Sequence, residues 1–284
     1  MRVSPGTGGR ALLTIAPDRR ALVTGAASGF GLGVTDRLLE AGARVAMADV
    51  SERLLLDEAG ARGDRVQPIV MDVRSKASVT AGVAAAVAWL GGLDTLVQCA
   101  GVFDYGALEE TTEESWDRQL DTNLKGTFLV AQAAIRHLVA SGRGRMVNIA
   151  SEAGRKGWPL TSAYNASKFG VIGLTQTWAR EFGRDGVTVN CVCPAMTPET
   201  RQGREVTRQK VARTPGLTEA EVLAGYAANF PVGRAGTVAD TADAIMYFLT
   251  DNAAWITAVA LDVDGGGPSG SQPLPPREPQ EVAR

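Results

Sequence analysis

Short runs of β-branched and apolar residues recur at Ala21 to Thr24, Arg44 to Ala48, Val66 to Met71, Thr95 to Cys99, Arg145 to Ala150, Val187 to Val192 and Val259 to Val263. The stretches between them carry apolar residues at helical spacing, so the pattern predicts about seven strands separated by helices. Strands that alternate with helices pair in parallel through right-handed crossovers. This predicts a single α/β domain with a doubly wound parallel β-sheet flanked by helices. The alanine-rich, low-charge stretch Ala77 to Leu93 is too short to cross a bilayer and reads as a core helix.

The ends read differently. Residues 1–18 lack either period and are expected to form a flexible N-terminal extension. Gly265-Gly266-Gly267-Pro268 opens a proline-rich tail, 268–284, that cannot hold a regular ladder. The body of the domain is expected over 19–267. Arg19-Arg20 before an apolar run has the form of a twin-arginine export signal, but Gly25, Ser28, Gly29 and Gly31 interrupt the run at once. A strand feeding a turn explains it better.

Composition narrows the function classes. A chain of 284 residues, 45% apolar, can bury a sizeable core. Its 29 basic and 31 acidic residues leave a net charge of −2, which offers no field to attract nucleic acid or an anionic membrane, and neither is expected as a partner. Three cysteines cannot close a disulfide framework, and Cys191 and Cys193 are expected on one strand face as small buried hydrophobes. A reducing, cytoplasmic location is therefore expected. His137 is the single histidine and lies on a helical stretch, so no His-rich metal site and no Ser-His-Asp triad can be assembled. No metal is expected.

The first strand feeds the turn Thr24-Gly-Ala-Ala-Ser-Gly-Phe-Gly31. Gly25 permits a tight turn. Gly29 and Gly31, either side of Phe30, let the backbone approach a diphosphate and the helix pack close to the strand, with the helix N-terminus supplying N–H groups. Such a turn is also a common structural loop. Asp49, ending the second strand, adds specificity, because a carboxylate there can accept from adenosine ribose hydroxyls and repel the extra phosphate of NADP. Ser28 and Val50 supply no positive charge for that phosphate, so NAD is expected over NADP. Asp49 could instead cap a helix from Ser51 onward, and Asp72, after the third strand, could either bond an adenine ring or cap.

Downstream, Tyr164 and Lys168 lie one helical turn apart, with Ser151 thirteen residues before the tyrosine and Asn123, read as a helix start, further upstream. The Tyr–Lys pair alone could be one exposed helix turn; the whole set in one order reads as hydride-transfer chemistry. A phenol titrates near 10, so Tyr164 can act as an acid–base group near neutrality only if its anion is stabilised. The Lys168 ammonium is expected to lower that pKa and to bond the nicotinamide ribose, while Ser151 fixes the substrate oxygen.

At these residues the chain resembles the classical short-chain dehydrogenase/reductase family, over about Arg20 to Gly266. The resemblance is carried by the turn at Thr24 to Gly31, Asp72-Val73, Ala100-Gly101, Asn123, Val147 to Ser151, Tyr164 to Lys168, the run ending at Pro194, and Val263 to Gly266. It implies a Rossmann-like fold and an NAD(H)-dependent alcohol dehydrogenase or ketoreductase. Asn123, Ser151, Tyr164 and Lys168 would be catalytic. Around the cofactor would stand Gly25, Ser28, Gly29, Phe30, Gly31, Asp49, Asp72, Val73, Ala100, Gly101, Pro194 and Thr197, together with Tyr164 and Lys168. Asn123 would hold a water that links Lys168 to solvent, although its side chain could equally be a helix cap. The resemblance also implies a homotetramer or homodimer formed through the helices near Gly126 to Val139 and Ser162 to Phe182. Departures are Gln98-Cys99 for the usual two asparagines, Ala195 for a glycine, Glu199 for a threonine and Ala258 for a glycine. The first two imply a slightly narrower cofactor pocket, and the third leaves open which hydroxyl near Thr197 and Thr200 reaches the carboxamide.

The segment 195–230 stands where the family builds a substrate lid, and its basic residues, Arg201, Arg204, Arg208, Lys210 and Arg213, could bind an anionic substrate group or form a solvated helix face. Glu152, Arg155, Trp158, Phe103 and Tyr105 are candidates for the pocket wall. The expected substrate is a secondary alcohol or its ketone, such as a polyol, sugar or hydroxy acid. The alternatives are a bulkier cyclic or 3-oxoacyl ketone and, from another class, a catalytically silent NAD-binding sensor. A lyase or epimerase of the extended relatives would show a different glycine spacing and a larger C-terminal portion.

Overall fold

The computed structural model describes residues 15, 16 and 18–267, and the expected extension over 1–14 and tail over 268–284 lie outside the described residues. The strands are β1 (Arg20–Thr24), β2 (Arg44–Asp49), β3 (Val66–Val70), β4 (Thr95–Gln98), β5 (Arg145–Ile149), β6 (Thr188–Pro194) and β7 (Ala260–Val263). The α-helices are α1 (Gly29–Glu40), α2 (Glu52–Gly60), α3 (Lys76–Leu90), α4 (Glu113–Leu120), α5 (Gly126–Ala140), α6 (Ser162–Phe182), α7 (Arg201–Arg213), α8 (Glu219–Asn229) and α9 (Val238–Leu249). All seven predicted strands form, each within two residues of its expected bounds.

The sheet order is β3-β2-β1-β4-β5-β6-β7, with every neighbouring pair parallel. Period-two alternation divides its core between two faces. Ala21 and Val23 of β1 point with Val45 and Met47 into a cluster closed by Val34 and Leu38 of α1 and Ile245 and Phe248 of α9. Leu22 and Leu96 point the other way, against Val83 of α3, Val130 and Leu138 of α5 and Trp178 of α6. Both faces are covered, which is why the strands read as continuous apolar runs. Cys191 and Cys193 pack into a small apolar cluster with Ala150 and Val171, as their spacing suggests. Ile15 is buried in the first cluster, so part of the segment expected to be loose packs on the core.

Chain reversal in the sheet order falls between β1 and β4. β1 bonds β2 on one side and β4 on the other, and the crevice beyond the carboxyl ends of such strands is where ligands bind in this architecture. Two caps set the elements around that crevice. The Thr200 hydroxyl accepts from Gly203 N at 2.9 Å and starts α7, and a reciprocal Thr218–Glu221 box starts α8.

Candidate active site

The glycine turn follows β1 and abuts the chain leaving β4. Gly25 is left-handed at φ +63, and a Cβ there would lie 2.8 Å from Ala100 N. A Cβ on Gly31 would collide with the Gly25 carbonyl. Glycine is therefore required at both positions, by the close approach of backbone to backbone. Ser28 occupies the N-cap of α1 with extended backbone and makes no side-chain capping bond, which leaves the first-turn N–H groups available to an anion. Phe30 lies on the first turn of α1 and packs partly against the core.

Asp49 closes this corner. Its two carboxylate oxygens accept from Ala27 N at 3.1 Å and Ser51 N at 2.9 Å. It holds the turn leading into α2 and ties the glycine turn to β2, with lone pairs to spare. The neighbouring cleft is lined by Ser51, Glu52, Arg53, Leu54, Asp57 and Arg201. Arg53 and Arg201 thus stand close to the Asp49 corner, with Glu52 and Asp57 as counter-charges; sequence distance hid Arg201. Asp72 is engaged differently. Its carboxylate accepts from Arg74 N at 2.9 Å and from the Arg74 guanidinium at 2.7 Å, and that guanidinium holds it below the usual carboxylate range. Val73 is buried and packs so close to Gly126 that a Cβ there would sit 2.8 Å from it.

The catalytic candidates converge on the same edge. β5 ends at Ile149, and Ser151 accepts from Ala153 N at 3.1 Å in the short turn that follows. α6 carries Tyr164 and Lys168, both buried. The Tyr164 hydroxyl is hydrogen-bonded to the side chains of Ser151 and Gln202, and its ring stands edge-on to Phe103 at 4.9 Å. Lys168 Nζ donates to Ile149 O at 2.9 Å and lies 5.5 Å from the Tyr164 ring centre. Burial lowers the Lys168 ammonium to about 8.

The Tyr164 phenol is raised, contrary to expectation. Burial pushes it up more strongly than the bonds from Gln202 and Ser151 pull it down, while Lys168 Nζ lies 5.5 Å from the ring centre.

Asn123 departs from its expected place at a helix start. It lies in a π-type turn, Asp121–Lys125, that runs α4 into α5 without a break, so it caps nothing. Its Oδ1 accepts from Val102 N at 2.8 Å, and its Nδ2 donates to Val102 O at 2.9 Å and to Ser167 Oγ at 3.1 Å. The side chain therefore clamps the loop after β4 onto α6. A Cβ on Gly101 would lie 3.4 Å from Asn123 Oδ1 and 3.8 Å from Lys168 Nζ, which places Ala100-Gly101, Asn123 and Lys168 in one corner.

Past Pro194, the last residue of β6, the alternatives separate. Thr197 is buried and donates to Ala195 O at 3.2 Å, whereas Thr200 donates to Thr197 O at 2.9 Å and caps α7. The Glu199 carboxylate accepts from Val238 N and anchors the lid root to α9. α8 and the strand end share an apolar cluster of Val222, Tyr226 and Phe230 with Ala195 and Met196.

The pocket wall is aromatic and acidic. Phe103 and Tyr105 meet edge-on at 4.6 Å. Glu152 is pushed up to about 7 by burial, with Lys156, Asp264 and Lys210 as further electrostatic neighbours. Arg155 is drawn to Asp262 of β7 at 2.8 Å. From the lid, Lys210 lies 4.5 Å from the Tyr226 ring centre. Sequence reasoning missed Gln202 and Tyr226, because nothing local signals where a lid helix docks.

The comparisons agree with this geometry. The family model for short chain dehydrogenase matches residues 19–211. The 2-(S)-hydroxypropyl-CoM dehydrogenase 3 of Xanthobacter autotrophicus is 34% identical over 86% of this chain and 94% of its own. The galactitol 2-dehydrogenase of Agrobacterium fabrum is 34% identical over 87% and 96%. A solved structure of an actinorhodin polyketide ketoreductase with NADPH superposes with a TM-score of 0.83 at 36% identity, covering 89% of this chain and 98% of that one. With its glycine turn, its Ser151–Tyr164–Lys168 arrangement and its seven-stranded parallel sheet, the chain belongs to the classical short-chain dehydrogenase/reductase family, and its relatives are oxidoreductases of alcohols and ketones.

Proposed function

We propose that the protein interconverts a secondary alcohol and a ketone with NAD as its preferred coenzyme, acting on a polyol, sugar or hydroxy acid. The observation that carries the reading is the contact of the Tyr164 hydroxyl with Ser151, beside the buried Lys168 ammonium. The coenzyme fits the residues present: Gly25 and Gly31 leave a cradle that a Cβ would fill, α1 begins without a Ser28 cap, and Asp49 presents a carboxylate to the same corner. When bound, it accepts or supplies the hydride.

The chain's own groups do the rest. Ser151 orients the substrate oxygen. Tyr164 takes the hydroxyl proton in oxidation and returns it in reduction. Lys168 holds positive charge beside the phenol, favouring its anion, and burial means this charge is progressively lost above about pH 8 in the unliganded protein. Asn123 keeps the loop at Ala100-Gly101 against α6 so that Lys168 stays in register.

Asp49 supports the coenzyme preference, since its carboxylate would meet the extra phosphate of NADP, while Arg53 and Arg201 are offset by Glu52 and Asp57. A second reading, a bulkier cyclic or 3-oxoacyl ketone, is favoured by the rings of Phe103, Tyr105 and Tyr226 and by the likeness to the polyketide ketoreductase. α7 and α8 would close over either substrate. Self-association is supported by Phe128 of α5 and Phe169 of α6, large apolar side chains left exposed on the helices expected to pair.

The test is turnover of a panel of polyols, sugars, hydroxy acids and cyclic ketones with each coenzyme in parallel. The parent chain is expected to favour NAD in kcat/KM. Asp49→Ala is expected to narrow that preference by about tenfold or more, the worth of a hydrogen-bonded charge. An unchanged ratio would reject the role given to this carboxylate.

A further inference from the structure

Two polar atoms near Ser151 are buried without a hydrogen-bond partner: Glu152 Oε2, on the residue that follows it, and Trp158 Nε1, whose ring lies 4.8 Å from Lys156 Nζ. Buried polar atoms are nearly always paired, so an unpartnered carboxylate oxygen one residue from the catalytic serine marks a group whose partner is the ligand. Glu152 is the more costly of the two. It directly follows Ser151, and it is an electrostatic neighbour of Tyr164 on α6, of Tyr105 on the loop after β4, and of Tyr226 and Lys210 on the lid helices. The carboxylate thus sits one residue from Ser151, among groups of body and lid alike.

We infer that Glu152 is a specificity residue that accepts a hydrogen bond from a second hydroxyl, on the carbon next to the reacting one, so that the preferred substrate is a vicinal diol or the matching α-hydroxyketone. This rests on the reaction proposed above and narrows its substrate class. The chemistry of the wall agrees. An ionised carboxylate is an acceptor only, so it rewards a donor hydroxyl, and an apolar neighbour would leave it buried and unpaired. A hydroxy acid would place its own carboxylate against Glu152, a like-charge contact. Trp158 Nε1, a donor without a partner, can donate to the remaining lone pairs of a polyol. The aromatic faces of Phe103 and Tyr105 suit its carbon skeleton.

Glu152 titrates at about 7 because burial disfavours its anion, while Lys156 from its own loop and Lys210 from α7 favour the anion and Asp264 beyond β7 opposes it. Preference for the diol should therefore strengthen as pH rises through about 7, where the acceptor-only form takes over. In a ratio of two substrates, the titrations of Tyr164 and Lys168 cancel.

The experiment compares butane-2,3-diol with butan-2-ol as substrates of the full chain, in parent, Glu152→Gln and Glu152→Ala forms, at pH values either side of 7. The parent should favour the diol in kcat/KM by about tenfold or more. Both variants should lose most of that ratio and its pH dependence. A parent ratio near one, or a ratio that survives in both variants, overturns the inference while leaving the dehydrogenase reading in place. Failure of the parent to oxidise either alcohol, or any member of the wider panel, would overturn that reading and this one with it.

Discussion

Tyr164→Phe is expected to lower kcat by about a hundredfold or more, in the range of a lost general acid–base group, while coenzyme binding stays nearly intact. The substitution removes one oxygen from a buried ring. The edge-on contact with Phe103 at 4.9 Å and the packing of α6 persist, because phenylalanine fills the same space. What disappears is the hydroxyl bonded to Ser151 and Gln202. Steady-state rates, together with titration of the protein with NADH by fluorescence, separate the two effects. A variant turning over at the parent rate would contradict the assignment of the proton to Tyr164; a variant that loses coenzyme binding would show that the ring, not the hydroxyl, matters.

The second large effect lies at the opposite end of the strands, at the start of β1 and β4. Asp94, wholly buried at the foot of β4, accepts from Arg20 N at 3.1 Å, Thr95 Oγ1 at 2.9 Å and Arg143 Nη2 at 3.1 Å, and faces Arg19 at 3.7 Å. Arg19 is also wholly buried, tied to the carbonyls of Arg143 and Leu249 at 2.9 and 3.2 Å. Its guanidinium is pulled below its usual range by burial, as is that of Arg145. Asp94→Ala would leave these charges without their buried counter-ion, and breaking a buried pair from one side costs about 3–5 kcal/mol. Urea or thermal unfolding of the variant is expected to show a loss of that size. A loss below about 1 kcal/mol would mean that Asp251 or solvent takes over the compensation. This cluster also explains the paired arginines at the start of β1: Arg19 and Arg20 anchor the base of the sheet.

What the sequence revealed follows from the range of the interaction involved. Strands buried on both faces carry unbroken apolar runs, so all seven were legible, and the spacing of Cys191 and Cys193 told their side of β6. The glycine turn was legible because its requirement is steric and local: Gly25 and Gly31 each leave space that another backbone fills. Tyr164 and Lys168 declared themselves by one helical turn.

The misreadings come from partners distant in sequence. Asn123 was read as a helix start because asparagine caps helices, yet its side chain is committed to Val102 and Ser167, which no local pattern announces. The expected lowering of the Tyr164 phenol by Lys168 gives way in this state to burial by the surrounding elements. Gln202 reaches Tyr164 only because the Thr200 cap sets the start of α7 beside the glycine turn, where a Cβ on Gly29 would lie 3.7 Å from the Thr200 methyl. Asp72, by contrast, is held by a near neighbour, Arg74, two residues on.

The central claim is that this site moves a hydride between an alcohol carbon and a nicotinamide, with Tyr164 handling the proton. Oxidation of a secondary alcohol deuterated at its carbinol carbon, in the presence of NAD and ordinary water, tests it most directly. The account predicts that the coenzyme isolated afterwards carries the deuterium, in a single stereochemical position, and that Tyr164→Phe suppresses the labelling. Deuterium released into the solvent, with unlabelled coenzyme, would show proton abstraction in place of hydride transfer and would contradict it.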